Sequence, residues 1–210
     1  MSFFDSASPI NGFPVLDAIC RQYDISEALH EVLQLIEPIS LQTASLRDWL
    51  SSLSQKELDI LSSRSVERAS HFKWFLGENA YRYIVWLHEY KNADLPDAVG
   101  SFAASVHNHR YSFVSRIIVG SLSVSNFSYY PDHKRLEFSS HIKFPAEATY
   151  FLSSEEIHRV DAAAPSTCTL VIQGPPEREY SRVFDPTDGS FREIFELPAR
   201  FPDLLTLLKG

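Results

Sequence analysis

The side chains of this chain best suited to hold a metal ion are the two histidines of one tripeptide and one distant partner. Val106-His107-Asn108-His109 ends a run with strand character. Side chains alternate along an extended backbone, so His107 and His109 share a face and both imidazoles can reach one ion. His158 lies on a later run, Ile157-His158-Arg159-Val160, which an antiparallel barrel would bring alongside as a third nitrogen ligand. Imidazoles so placed suit a divalent transition-metal ion. The other five of the eight histidines read as bystanders. His30, His71 and His88 lie in segments that read as helix or early strand, and His133 and His141 flank a hairpin strand. On spacing alone, an H-x-H pair also fits two ordinary core or surface histidines, and that alternative stays open at this point.

Two textures must position these residues. In residues 15–75, Leu29, Leu33 and Ile36, then Leu46, Leu50 and Leu53, then Leu58 and Leu61, recur at three- and four-residue intervals. That spacing predicts helices at 15–23, 26–36, 44–52 and 55–62. Ser54 with Glu57 has capping-box spacing, and Ser45 with Asp48 is a weaker version. From Tyr81 onward, short runs rich in Val, Ile, Phe, Tyr and Ser are broken by Gly and Pro at regular intervals, the texture of a sandwich or barrel. The strands expected are 80–89, 101–107, 112–119, 121–128, 135–141, 148–152, 157–161, 167–173, 179–184 and 191–195. No linker or repeat separates the textures, so residues 1–210 read as one mainly β domain. It comprises an N-terminal helical segment (1–75), a barrel (76–197) and a tail (198–210) with a short helix at 201–208.

Composition narrows the function. The chain has 210 residues and a formal charge of −8 from 27 acidic and 19 basic side chains. That balance opposes nucleic-acid binding, and no clustered Lys/Arg run compensates. No glycine-rich phosphate loop is present. Its two cysteines, Cys20 and Cys168, form no C-x-x-C pair and no disulfide framework, which fits a reducing cytoplasm. No basic-then-apolar leader and no stretch of about 20 apolar residues appears, so secretion and membrane association are not expected.

The order of motifs is more specific than any one of them. Gly100 precedes the H-x-H pair and Gly120 follows it, within Arg116-Ile117-Ile118-Val119-Gly120-Ser121-Leu122. Then come Tyr130-Pro131-Asp132, Ile157-His158-Arg159-Val160, Gly174-Pro175-Pro176, and Val183-Phe184-Asp185 with Gly189. Across residues 72–196 the chain resembles the cupins, and within them the cysteine dioxygenase branch. The resemblance implies a cupin (double-stranded β-helix, jelly-roll) barrel and one Fe(II) held by His107, His109 and His158. Phe113 stands seven residues before Gly120, where ordinary cupins often carry a glutamate ligand, and a phenylalanine cannot ligate.

The second layer departs from the family. Alignment on Pro175-Pro176 places Thr169, Val171 and Gln173 at the positions of a Ser-His-Tyr relay, and only Thr169 can mimic its counterpart. Gln173 can hydrogen-bond substrate but cannot donate a proton as a tyrosine would. A cysteine cross-link is not expected, because neither cysteine lies near Phe113. Arg82, in Tyr81-Arg82-Tyr83, matches the family's arginine for the substrate carboxylate, with a solvent-facing role as the alternative. Tyr111 and Phe113 are expected to line the pocket. Arg159 alternates away from His158 and reads as structural, and Cys168 reads as a small buried hydrophobe.

The function that follows is an Fe(II)- and O2-dependent oxidation of a small amino acid or thiol-containing acid, with a product altered by the missing relay. Two alternatives stand beside it: an O2-independent metal-dependent isomerase, lyase or hydrolase, and a non-catalytic ligand-binding cupin. A small-molecule substrate and O2 are the partners implied, in a monomer or homodimer.

Overall fold

A computed structural model describes residue 25 and residues 27–40, 43–91 and 102–195. The helices expected at 15–23 and 201–208, and Cys20 and Gly100, lie outside these residues. Helices α1 (Leu29–Ser40), α2 (Thr43–Ser52) and α3 (Gln55–Arg64) come first. On α1 and the residue before it the buried stripe is Ala28, Val32 and Ile36, each 0% exposed, with Leu29 and Leu33 flanking it. Their spacing of four sets them on one face of the helix. That face covers Leu76, Val85, Val114, Leu170 and Ile172 on the outer side of a sheet.

Helix α3 starts at its expected capping box. The Ser54 backbone N–H donates to Glu57 Oε2 at 2.8 Å, and the Ser54 hydroxyl accepts from the Glu57 N–H at 3.4 Å. Helix α2 begins at Thr43, so Ser45 lies within it and is not its cap.

Twelve strands follow: β1 (Val66–Glu67), β2 (His71–Glu78), β3 (Ile84–Tyr90), β4 (Val106–His107), β5 (Phe113–Val119), β6 (Ser121–Tyr130), β7 (Arg135–Pro145), β8 (Thr149–Leu152), β9 (Ile157–Ala163), β10 (Cys168–Gln173), β11 (Tyr180–Phe184) and β12 (Phe191–Phe195). They form two six-stranded antiparallel sheets, in the orders β1-β2-β3-β10-β5-β8 and β12-β11-β4-β9-β6-β7. This is the mainly β jelly-roll barrel expected, with the helical segment packed on it.

Three of the departures from expectation have a local reason. Strand β2 belongs to the sheet although its periodicity hides it, because its inward positions include the polar His71 and Lys73 as well as Phe75. The strand expected from residue 80 begins only at Ile84. Asn79 Oδ1 accepts the N–H groups of Tyr81 and Tyr83, both at 3.0 Å, and turns the chain there, with Arg82 at φ 66°. The strand expected at 101–107 shrinks to Val106–His107, since the Ser105 N–H and hydroxyl both donate to Phe102 O and close a turn.

Gly120 makes the β5–β6 turn at φ +81°, and a Cβ there would lie 2.3 Å from Thr167 Oγ1. Inside the barrel two apolar clusters flank a cavity. Phe75, Trp86, Phe113, Leu152 and Val171 pack with Leu61, Trp49, Leu50 and Leu53 from the helices, while Ile117, Leu122, Val124 and Val160 form the second cluster.

Candidate metal centre

The β4–β9 ladder pairs His107 directly with His158, with ring centroids 4.4 Å apart. His109 follows two residues later on the same side, 4.8 Å from the His107 ring and 5.0 Å from that of His158. One nitrogen from each ring lies within 4.8 Å of the others. The Nε2 atoms of His107 and His109 are 3.3 Å apart. Neighbouring nitrogens bound at 2.0–2.1 Å to one ion are separated by about 2.8–3.0 Å in octahedral and about 3.3–3.4 Å in tetrahedral geometry, so this pair already has a spacing a shared ion can use.

The protonation states fit as well. His107 Nδ1 lies 2.9 Å from the Ser105 carbonyl, which only accepts, so the proton sits on Nδ1 and the Nε2 lone pair faces the cluster. Burial pushes the His107 imidazole down to about 4. Burial and then the neighbouring histidines hold His109 and His158 well below the usual imidazole range. All three rings are therefore neutral near pH 7, the form that ligates a metal.

The turn after β4 is tied down from two sides. Asn108, between the ligands, faces away from them: its N–H donates to Arg182 O at 3.0 Å, and its Oδ1 accepts the Arg182 N–H at 2.8 Å. The Pro-Pro segment holds the residues beyond. Arg178 Nη2 donates to the His109 carbonyl at 2.6 Å and to Ser154 O, and the Glu177 N–H donates to Arg110 O at 2.8 Å. One Glu177 carboxylate oxygen accepts from the Ser112 N–H and hydroxyl, and the other accepts the Ser154 hydroxyl at 2.6 Å.

A cavity of 510 Å³ opens beside the three histidines, a size suited to a small molecule. Tyr111, Phe113, Thr169 and Gln173 all line it, as their alternation on β5 and β10 requires. Phe113 stands edge-on to His109, with centroids 5.2 Å apart, and presents an apolar ring to the histidine cluster. Gln173 Oε1 accepts the Trp86 indole N–H at 3.0 Å, which fixes the amide.

Arg82 is not brought to the site: it is exposed at the β2–β3 turn and does not line the cavity. The basic side chains on the cavity wall are Arg68, Lys73 and Arg110. Cys168 is half-buried rather than buried, and it shares the outward face of β10 with Leu170 and Ile172, away from the cavity.

Two histidines read as bystanders also line the cavity. His71 and His88 lie with ring centroids 4.9 Å apart on β2 and β3, and burial first, then nearby positive charge, pushes His71 down to about 3. The polar alternation His71-x-Lys73 on an otherwise apolar run is the signal for His71, and His88 has no local one.

No family model and no curated protein matches the sequence. Among solved structures, the chain is similar to hydroxypropylphosphonic acid epoxidase from S. wedmorenis at 12% identity and a TM-score of 0.39, covering 52% of this chain and 53% of that one. It is also similar to a putative mannose-6-phosphate isomerase from Ralstonia eutropha JMP134 (12% identity, TM-score 0.36, 50% of this chain and 83% of that one). A third is KdgF from Halomonas sp. (6% identity, TM-score 0.37, 54% of this chain and 89% of that one). The chain thus spans about half the length of the epoxidase it matches.

Proposed function

We propose that this protein is a non-haem Fe(II) oxygenase of the thiol dioxygenase kind, acting on a small amino acid or thiol-containing acid. The observation that carries the reading is the donor set: three imidazoles each bring a ring nitrogen to within 4.8 Å of the others, and the ring beside them, Phe113, offers no carboxylate. Such a set leaves a ferrous ion its full double charge, together with open positions for an anionic substrate group and for O2.

The chain's own residues supply placement. Tyr111 stacks on His109 at 5.2 Å, and with Phe113 it walls one side of the ligands with aromatic surface that excludes water. Gln173, its oxygen held by Trp86, offers its NH2 hydrogens to a substrate acceptor. Val171 carries no proton, so the β10 side chains form no continuous relay, and the product differs from a simple sulfinate.

The same three nitrogens suit zinc, nickel or manganese in a Lewis-acid isomerase, lyase or hydrolase. Metal analysis of anaerobically purified protein, with an oxygen electrode and a panel of amino acids and thiol acids, separates the readings. Oxygen uptake stoichiometric with substrate loss is expected. Turnover unchanged in the absence of O2 would contradict the oxygenase.

A further inference from the structure

Three polar side chains form one row across the sheet that faces the ligands. Lys73 pairs with His88 between β2 and β3, and His88 pairs with Thr169 between β3 and β10. Directly paired residues point to the same face, and all three line the cavity that holds His107, His109 and His158. His88 Nε2 and Thr169 Oγ1 are buried and have no hydrogen-bond partner among the described residues, and Thr169 is 1% exposed. Leaving a buried polar atom without a partner is costly, and two side by side on a cavity wall mark a place where a ligand completes the hydrogen bonding. Lys73 Nζ sits 4.4 Å from the Trp86 ring centroid, beside this pair.

We propose that the Lys73–His88–Thr169 row is an oxyanion subsite, so that the substrate is bifunctional: one end reaches the metal ligands and a carboxylate or sulfonate docks on this row. The inference rests on the reading of the three histidines as a metal centre and deepens it by naming the far end of the substrate. The Thr169 hydroxyl and, in its Nε2–H tautomer, the His88 ring are donors, the Lys73 ammonium has three hydrogens to share, and one acceptor-only anion can take hydrogen bonds from all of them. Burial holds His88 neutral, so the Lys73 ammonium supplies the charge. A neutral amide in the same place would bring N–H hydrogens against donors.

The test uses cobalt(II)-loaded protein and three thiols of similar length: 3-mercaptopropionate, 2-mercaptoethanesulfonate and 3-mercaptopropionamide. Affinity is read from the thiolate-to-cobalt absorption band. At least one acid is expected to bind tenfold or more tightly than the amide, and the preferred acid tells the planar from the tetrahedral anion. Lys73→Met and the near-isosteric Thr169→Val should each reduce that preference severalfold, with cobalt content, melting temperature and amide affinity unchanged. Equal affinity for acids and amide in the wild-type protein would overturn the subsite, as would variants that weaken acid and amide alike. A wild-type protein that takes up no cobalt would overturn the metal reading and this inference with it, and that result is seen before any thiol is added.

Discussion

His107 and His158 are immediate cross-strand neighbours on β4 and β9, so two of the three candidate ligands stand on one hydrogen-bonded ladder rather than on loops. A ladder fixes both Cα positions, and with them the approach of the two rings. Replacing either residue by alanine should therefore abolish stoichiometric metal binding while leaving the barrel folded. The loss should exceed the roughly 10–100-fold that outer-layer substitutions cost. Metal content after dialysis, with circular dichroism on the same samples, checks this.

His109 lacks that support, lying past the end of β4, and its backbone is held by Arg178. Arg178→Met keeps much of the aliphatic stem and removes the donor to the His109 carbonyl. Metal affinity should fall about 10–100-fold, with the stoichiometry at saturation unchanged. Titration against a competing chelator measures it, and an unaltered affinity would show that the loop holds itself.

Gly120 turns the chain at φ +81° against Thr167. Alanine there meets both left-handed strain and a collision with Thr167, so Gly120→Ala should destabilise the protein by about 1–3 kcal/mol or more. Urea unfolding reads the difference.

Acid should weaken the metal-free protein. His71 binds its proton only near pH 3 in the folded chain, against an ordinary value of 6.5. Between those limits the unfolded chain holds the extra proton, so stability is complete above 6.5 and falls as pH drops through the window. One such group contributes about 1.4 kcal/mol per pH unit. His71→Gln should make the decline between pH 7 and pH 5 shallower by roughly 2 kcal/mol, as measured by denaturant unfolding of apo protein at both values. An unchanged decline would contradict the burial of His71 as a neutral ring.

Much of this architecture is legible in the residues. The Ser54–Glu57 box, the leucine intervals and the punctuated β texture place the helices and most strands, because each is a local signal. The triad is legible in part: His107-Asn108-His109 is a short-range pattern, while His158 comes alongside only through the β4–β9 ladder.

What fails is what depends on which side chains face the cavity and on how a turn is held. Strand β2 breaks the apolar alternation because His71 and Lys73 face a cavity rather than the core, so the polar wall concealed its own strand. Arg82 looked suited to a substrate carboxylate on sequence neighbourhood alone. The Asn79 turn directs it to solvent, a consequence of side chain–backbone hydrogen bonds that no periodicity reports.

The most direct test of the account is a crystal structure of the protein loaded anaerobically with Fe(II). One ion bound by a nitrogen of each of His107, His109 and His158, facing the cavity between Phe113 and Thr169, is the predicted result. An ion held elsewhere, or by fewer than these three side chains, would contradict the central claim.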